Sequence, residues 1–201
     1  MEHSNISKLF IAAIVITLSA CTHTPEQSVK SFHPELAYFE QMQSYGPHDD
    51  LRIPMLLGLY YINARQETKG IEFFEKFIEQ HDKKFSAEQR SVMLSAYALV
   101  KASYTDRVPF YAKIGWLNET SDIIQQALTA SNNQGFIAHW AAGIIYTQIP
   151  SILGYQEQAL EHLNWCVVHA KEEPLPGFIR EVYYSLAKVY DARDESQTSD
   201  K

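Results

Sequence analysis

From residue 34 onward apolar side chains recur every three or four positions with polar residues between them, and no stretch sustains a period of two. A stripe repeating every 3.6 residues marks amphipathic helices, so the pattern predicts an all-α protein. Pro34 suits a first helical position, and Leu36, Phe39 and Met42 follow at spacings of three until Gly46-Pro47 stops the run. His48-Asp49-Asp50 offers a cap for a second helix over residues 51–65. A third covers 66–81, with Ile71, Phe74, Phe77 and Ile78 on one face. Ser86, followed by Glu88 and Gln89, reads as the N-cap of a helix over 87–103. Asn118 reads as the start of a helix ending near 130, and others fit 136–147, 156–170 and 178–192. Pro109, Pro150, Pro174 and Pro176 fall between these spans, where a missing N–H does no harm. Residues 33–193 therefore read as one helical domain, and 194–201 as a polar tail.

Two helix pairs share a frame. Leu57-Gly58-x-x-Tyr61 precedes Gly70-x-x-x-Phe74, and Ala142-Gly143-x-x-Tyr146 precedes Ala159-x-x-x-Leu163. A third fragment, Leu186-Ala187-x-x-Tyr190, lies near the C-terminus. Small residues let paired helices approach, and large rings fill the groove between them. This frame resembles the tetratricopeptide repeat over roughly residues 50–192, although Val100-Lys101-x-x-Tyr104 lacks the small residue. Tyr61, Tyr104, Tyr146 and Tyr190 lie 43, 42 and 44 residues apart. That period exceeds the usual unit of about 34 and sits nearer the HEAT and armadillo range. The resemblance implies a TPR-like α-solenoid, a right-handed superhelix of about three and a half hairpins, each covering the open face of the one before.

The surplus length falls in two inserts, 106–115 and 148–155. They carry Val108, Phe110 and Tyr111 in one, and Ile149, Ile152 and Leu153 in the other. Apolar groups in long loops fold back over a core or meet a ligand. Each insert joins the helices within a hairpin, so both are expected on one side of the superhelix. There Phe110, Tyr111, Trp116, Ile152, Leu153 and Tyr155 are the candidate lining of a binding groove. The stretch Ile152-Leu-Gly154-Tyr-Gln-Glu-Gln-Ala159-Leu-Glu-His162-Leu163 is similar to the T-component lipoproteins that accompany TRAP transporters. That resemblance implies a small hydrophobic ligand passed to a partner.

The N-terminus changes the picture again. An apolar run from Leu9 to Leu18 leads into Leu18-Ser19-Ala20-Cys21, a lipobox. Such a run suits a signal h-region and is too short for a hydrocarbon core that needs about 20 residues. Residues 1–20 are thus expected to be removed, leaving Cys21 acylated at the head of a polar tether, 21–32. By resemblance to diderm lipoproteins, Thr22 in place of an aspartate favours the outer membrane, facing the periplasm.

Charge excludes one class. The chain has 17 Lys and Arg against 24 Asp and Glu, a net −7, with nothing basic clustered, so nucleic-acid binding has no electrostatic support. With Cys21 acylated, Cys166 is left alone and no internal disulfide can form. No Walker, dinucleotide-glycine, G-x-S-x-G or H-E-x-x-H pattern occurs. His162, Cys166 and His169 share a helical stripe, but they spread over about 10 Å, too far to converge on one zinc ion. They read as a buried thiol flanked by partly exposed histidines. Trp116, Trp140 and Trp165 read mainly as core.

Together these features lead to an expected membrane-anchored, non-catalytic scaffold that binds a protein or peptide through a helical-repeat groove and needs no cofactor. The alternative is an accessory protein that binds a small hydrophobic ligand for a transporter. A metal-dependent enzyme stands a distant third.

Overall fold

The computed structural model describes residues 34–199 except positions 45, 48, 151, 152 and 174–176. Cys21, the signal segment, the tether and Ile152 lie outside the described residues. Eight α-helices carry the described chain: α1 Pro34–Ser44, α2 Arg52–Asn63, α3 Glu67–His81 and α4 Ala87–Ser103, then α5 Lys113–Ala130, α6 Phe136–Gln148, α7 Gln156–Val168 and α8 Phe178–Ser199.

Local chemistry sets most of the boundaries. At α4 the Ser86 hydroxyl accepts from the Gln89 amide at 3.1 Å, and the Gln89 side chain accepts from the Ser86 amide at 2.9 Å. This reciprocal capping box satisfies two donors that the first helical turn leaves over. Helix α2 ends at Arg65 and α5 at Asn132 and Asn133, all with positive φ. Asparagine tolerates that conformation better than most residues, and Asn133 donates back to the Leu128 carbonyl at 2.8 Å, closing the turn.

Three boundaries differ from expectation. Helix α5 begins at Lys113 rather than Asn118, because the chain re-enters helical geometry through a 3-10 turn, Phe110–Ala112, directly after Pro109. Asp50 does not cap α2 from the N-cap position, which Leu51 occupies. It lies one residue earlier, accepting from the Arg52 amide and pairing with its guanidinium. Helix α8 continues through the supposed tail to Ser199, since Glu195 and Gln197 are good helix formers and no glycine or proline intervenes.

Helices α2, α4, α6 and α8 form a row, each packed on the next. Helix α3 rests on α2 and α4, α5 on α4 and α6, and α7 on α6 and α8, while α1 covers α2. The middle of the row is the driest part: every residue of α4 from Ser91 to Ala102 is buried. Tyr61, Phe74, Val100, Trp140 and Leu163 are buried to 1% exposure or less. Removing one such large apolar side chain from water is worth roughly 1.5–3 kcal/mol.

The repeat frame describes this packing in part. Leu57, Tyr61, Phe74, Tyr146, Ala159 and Leu163 are buried. A Cβ on Gly70 would meet the Tyr61 ring at 2.7 Å, and one on Gly143 would meet Leu163 at 2.6 Å. Both glycines therefore permit a close crossing within a hairpin. Gly58 does not: its nearest neighbour is the Ala96 carbonyl at 3.3 Å, so it serves the α2–α4 crossing. The C-terminal fragment is out of register. Leu186 is buried, but Ala187 is exposed and Tyr190 is 50% exposed. Helix α8 meets α6 and α7 through Phe178, Val182, Ser185 and Val189, a 4-3-4 spacing that turns Tyr190 outward.

Candidate functional site

The structure brings the two inserts together around one cleft of about 560 Å³. Its floor is formed where α4 and α6 end, at Ala102, Ile145 and Gln148, and one wall is the start of α5, at Lys113, Ile114 and Leu117. Phe110 and Tyr111 from the first insert and Ile149, Pro150 and Leu153 from the second complete it. The second insert turns tightly, with the Leu153 amide donating to the Pro150 carbonyl at 2.9 Å and Gly154 at φ 75°. Large apolar groups here stand in water: Phe110 is 90% exposed, Tyr111 89%, Ile114 67% and Leu153 44%. Such a concentration of exposed apolar surface beside a concavity marks an interaction site.

Polar contacts fix the first insert and its wall. Arg107 pairs with Glu67 at 3.1 Å, and Glu67, at the start of α3, is buried. The Trp116 indole N–H donates to the Lys101 carbonyl at 2.9 Å, and the Lys101 ammonium lies 4.0 Å from the Trp116 ring. That ammonium also pairs with Glu119 at 2.9 Å, tying α4 to α5. The Thr105 hydroxyl, in the cleft wall, is buried without a hydrogen-bond partner.

Of the six expected lining residues, Phe110, Tyr111 and Leu153 take that place, and Ile152 lies outside the described residues. Trp116 and Tyr155 do not line the cleft. Trp116 follows Ile114 by two residues, about 200° around the helix, which turns its indole toward Lys101 and Tyr104. Tyr155 stacks on Tyr146 at 5.3 Å. Lining residues that sequence reading missed, such as Ile114 and Leu117, were legible only as a helical stripe once α5 is started at Lys113.

The histidine–cysteine stripe also differs from expectation. His162 is buried rather than partly exposed, because its Nδ1 meets Nδ1 of His139 at 3.0 Å. The His139 ring stacks on Trp165 at 4.0 Å, and Trp165 stacks on His169 at 3.7 Å. Burial depresses both His139, to about 4, and His162. Burial also pushes the Cys166 thiol up to about 12, so it has none of the thiolate character a nucleophile needs. Trp140 stacks on Phe178 at 4.2 Å inside the core. Among the described residues no three His, Cys, Asp or Glu side chains converge on a point that could hold a metal ion. Nor is any described helix long and apolar enough to cross a membrane.

Fold and site together define, among the described residues, an all-helical arrangement of eight packed helices with an apolar cleft between two loop inserts. No known protein family, curated protein or solved structure matches the chain.

Proposed function

We propose that this chain is a non-catalytic binding protein of the cell envelope. In this reading it is a TPR-like superhelix held to the membrane through Cys21, and it takes a small hydrophobic ligand between its two inserts. The observation that carries the reading is the convergence of two inserts, some 40 residues apart in sequence, on one apolar cleft. Its volume lies inside the range of roughly 300–1,000 Å³ usual for small-ligand sites. The row α2–α4–α6–α8 supports the superhelix, and the lipobox supports the anchor.

A second reading, a protein or peptide partner, is favoured by Phe110 and Tyr111. Their rings border the cleft but are almost fully exposed, a surface that a partner larger than the cleft would cover. Native mass spectrometry of the purified chain separates the two. A retained small molecule, lost when Ile114 and Leu153 are both replaced by serine with melting unchanged, supports the ligand binder. An empty chain that captures an envelope protein through Phe110 and Tyr111 supports the scaffold. An empty chain with neither property overturns both.

A further inference from the structure

We infer that the rim of the cleft docks on a neutral lipid bilayer, with Phe110, Tyr111, Ile114 and Leu153 entering the leaflet that holds the Cys21 lipid. This goes beyond the ligand reading and rests on the reading of Cys21 as the anchor. Four large apolar side chains, from two inserts and the start of α5, stand in water around one opening. Apolar groups presented on a folded surface can enter the boundary between headgroups and acyl chains. A tyrosine ring suits that depth, because its hydroxyl stays hydrated while its body is covered.

Helix order puts the anchor at the same end. Gly46, just past α1, lies beside His81, the last residue of α3, whose ring a Cβ on Gly46 would meet at 3.9 Å. Earlier in α1, Glu40 accepts from the Tyr61 hydroxyl at 2.6 Å and pairs at 2.7 Å with Lys69, in the first turn of α3. Helices α1 and α3 therefore run in the same direction and begin at the same end. Arg107 ties the first insert to Glu67, where α3 begins. The segment that carries Cys21 thus joins the domain at the end that holds the cleft. Residues 22–33 separate Cys21 from α1, a span of at most roughly 40 Å. A lipid so close makes contact between rim and bilayer intramolecular, so weak insertion is enough. Charge selects the headgroup. Lys113 and Asp106 border the cleft with opposite signs, and the chain as a whole carries −7, so anionic lipid adds repulsion.

The test uses the lipid-carrying chain, its mass verified, on phosphatidylcholine vesicles. An environment-sensitive dye is attached at Tyr111→Cys and, for comparison, at Lys83→Cys, an exposed residue in the turn past the far end of α3. Cys166 is buried and escapes the dye. The dye at 111 should shift to the blue and be quenched by nitroxide-bearing lipid, and the dye at 83 should do neither. Phe110→Asp with Leu153→Asp should return the 111 dye to aqueous emission, with melting unchanged because both side chains are exposed. Phosphatidylglycerol should weaken the shift. An aqueous signal at 111 on chains that carry lipid and float with the vesicles overturns the docking and leaves the anchor standing. Equal shifts at 111 and 83 overturn the orientation, and a shift that needs phosphatidylglycerol overturns the neutral surface. A 111 dye that responds only to an added envelope protein gives the rim to that partner instead. A chain without lipid mass that stays off the vesicles overturns anchor and docking together.

Discussion

His162 donates from Nδ1 to Nδ1 of His139 across the α6–α7 interface, at 3.0 Å. The direction follows from His139's other nitrogen. Its Nε2 faces the Asn133 carbonyl at 3.2 Å, and a carbonyl can only accept, so the neutral ring carries its proton on Nε2 and presents a lone pair on Nδ1. The left-handed turn at Asn133 thus fixes a tautomer inside the next hairpin. A proton added to His139 must go to Nδ1, where it takes up the lone pair that accepts from His162.

Acid should therefore weaken the fold through this pair. In the unfolded chain the ring takes a proton near 6.5, whereas burial holds the folded value down at about 4, only partly offset by the Asn133 carbonyl. The unfolded state binds more protons between those limits, so stability is complete above pH 6.5 and falls as pH drops toward 4. The loss is on the order of 2–3 kcal/mol. Urea midpoints at pH 7, 5.5 and 4.5 measure it. His139→Asn should flatten the acid limb, and parallel acid limbs for the two proteins would refute the assignment.

Glu181 works in the opposite sense. Burial raises its carboxyl to about 7, with Lys188 opposing, while in the unfolded chain it titrates near 4.5. The folded state now binds more protons, so stability is lost as pH rises through 7. Glu181→Gln should raise the melting temperature at pH 8, an effect on the order of 1–3 kcal/mol, and the gain should shrink toward pH 5. A gain independent of pH would point to packing instead.

Three glycines should respond differently to added bulk. Gly143→Ala drives a methyl into the fully buried Leu163, and Gly58→Leu forces a branched chain against Ala96 and Val100. Each should destabilise by about 1–3 kcal/mol. A Cβ on Gly115 meets nothing within 4 Å, and the residue is exposed in the first turn of α5. Gly115→Ala should stabilise by roughly 0.4–1 kcal/mol. Chemical denaturation ranks the three, and the wrong sign at Gly115 would count against helical geometry there.

Helix spans could be read because their punctuation is local. Ser86 and Gln89 announce the start of α4, and Gly46-Pro47 ends α1 within a few residues. The start of α5 could not be read the same way. Asn118 has the chemistry of a cap, yet Pro109 and the short turn after it had already set the helix going. Faces were harder still. Tyr190 fits a repeat frame and Ser185 does not, but tertiary contact buries Ser185 and exposes Tyr190. The apolar content of both inserts was plain in the sequence, which made Phe110, Tyr111 and Leu153 visible candidates. Trp116 and Tyr155 went astray because an aromatic ring near a loop says nothing of its direction. The His139–His162 contact left no trace, since its partners are 23 residues apart on separate helices and join no motif.

The proposed anchor has its own test. Cys21→Ser removes the thiol that a thioether-linked lipid requires, so the variant should lose the lipid-sized mass increment and leave the membrane fraction. Intact mass and fractionation of both proteins measure this. A wild-type chain without any added mass would end the lipoprotein reading.

Among the described residues every firmly packed helix pair consists of immediate or next-but-one neighbours along the chain, and the two central helices are each held by four others: α4 by α2, α3, α5 and α6, and α6 by α4, α5, α7 and α8. Few long loops must close before contacts form, which favours rapid folding for a protein of this length. Melting of such a chain should also be graded. Amide protons in α1 and α8 should be the first to exchange with solvent, and those of α4 the last. The cleft, whose floor includes the far end of that slowest helix, is then the part of the surface that keeps its shape while α1 and α8 open and close.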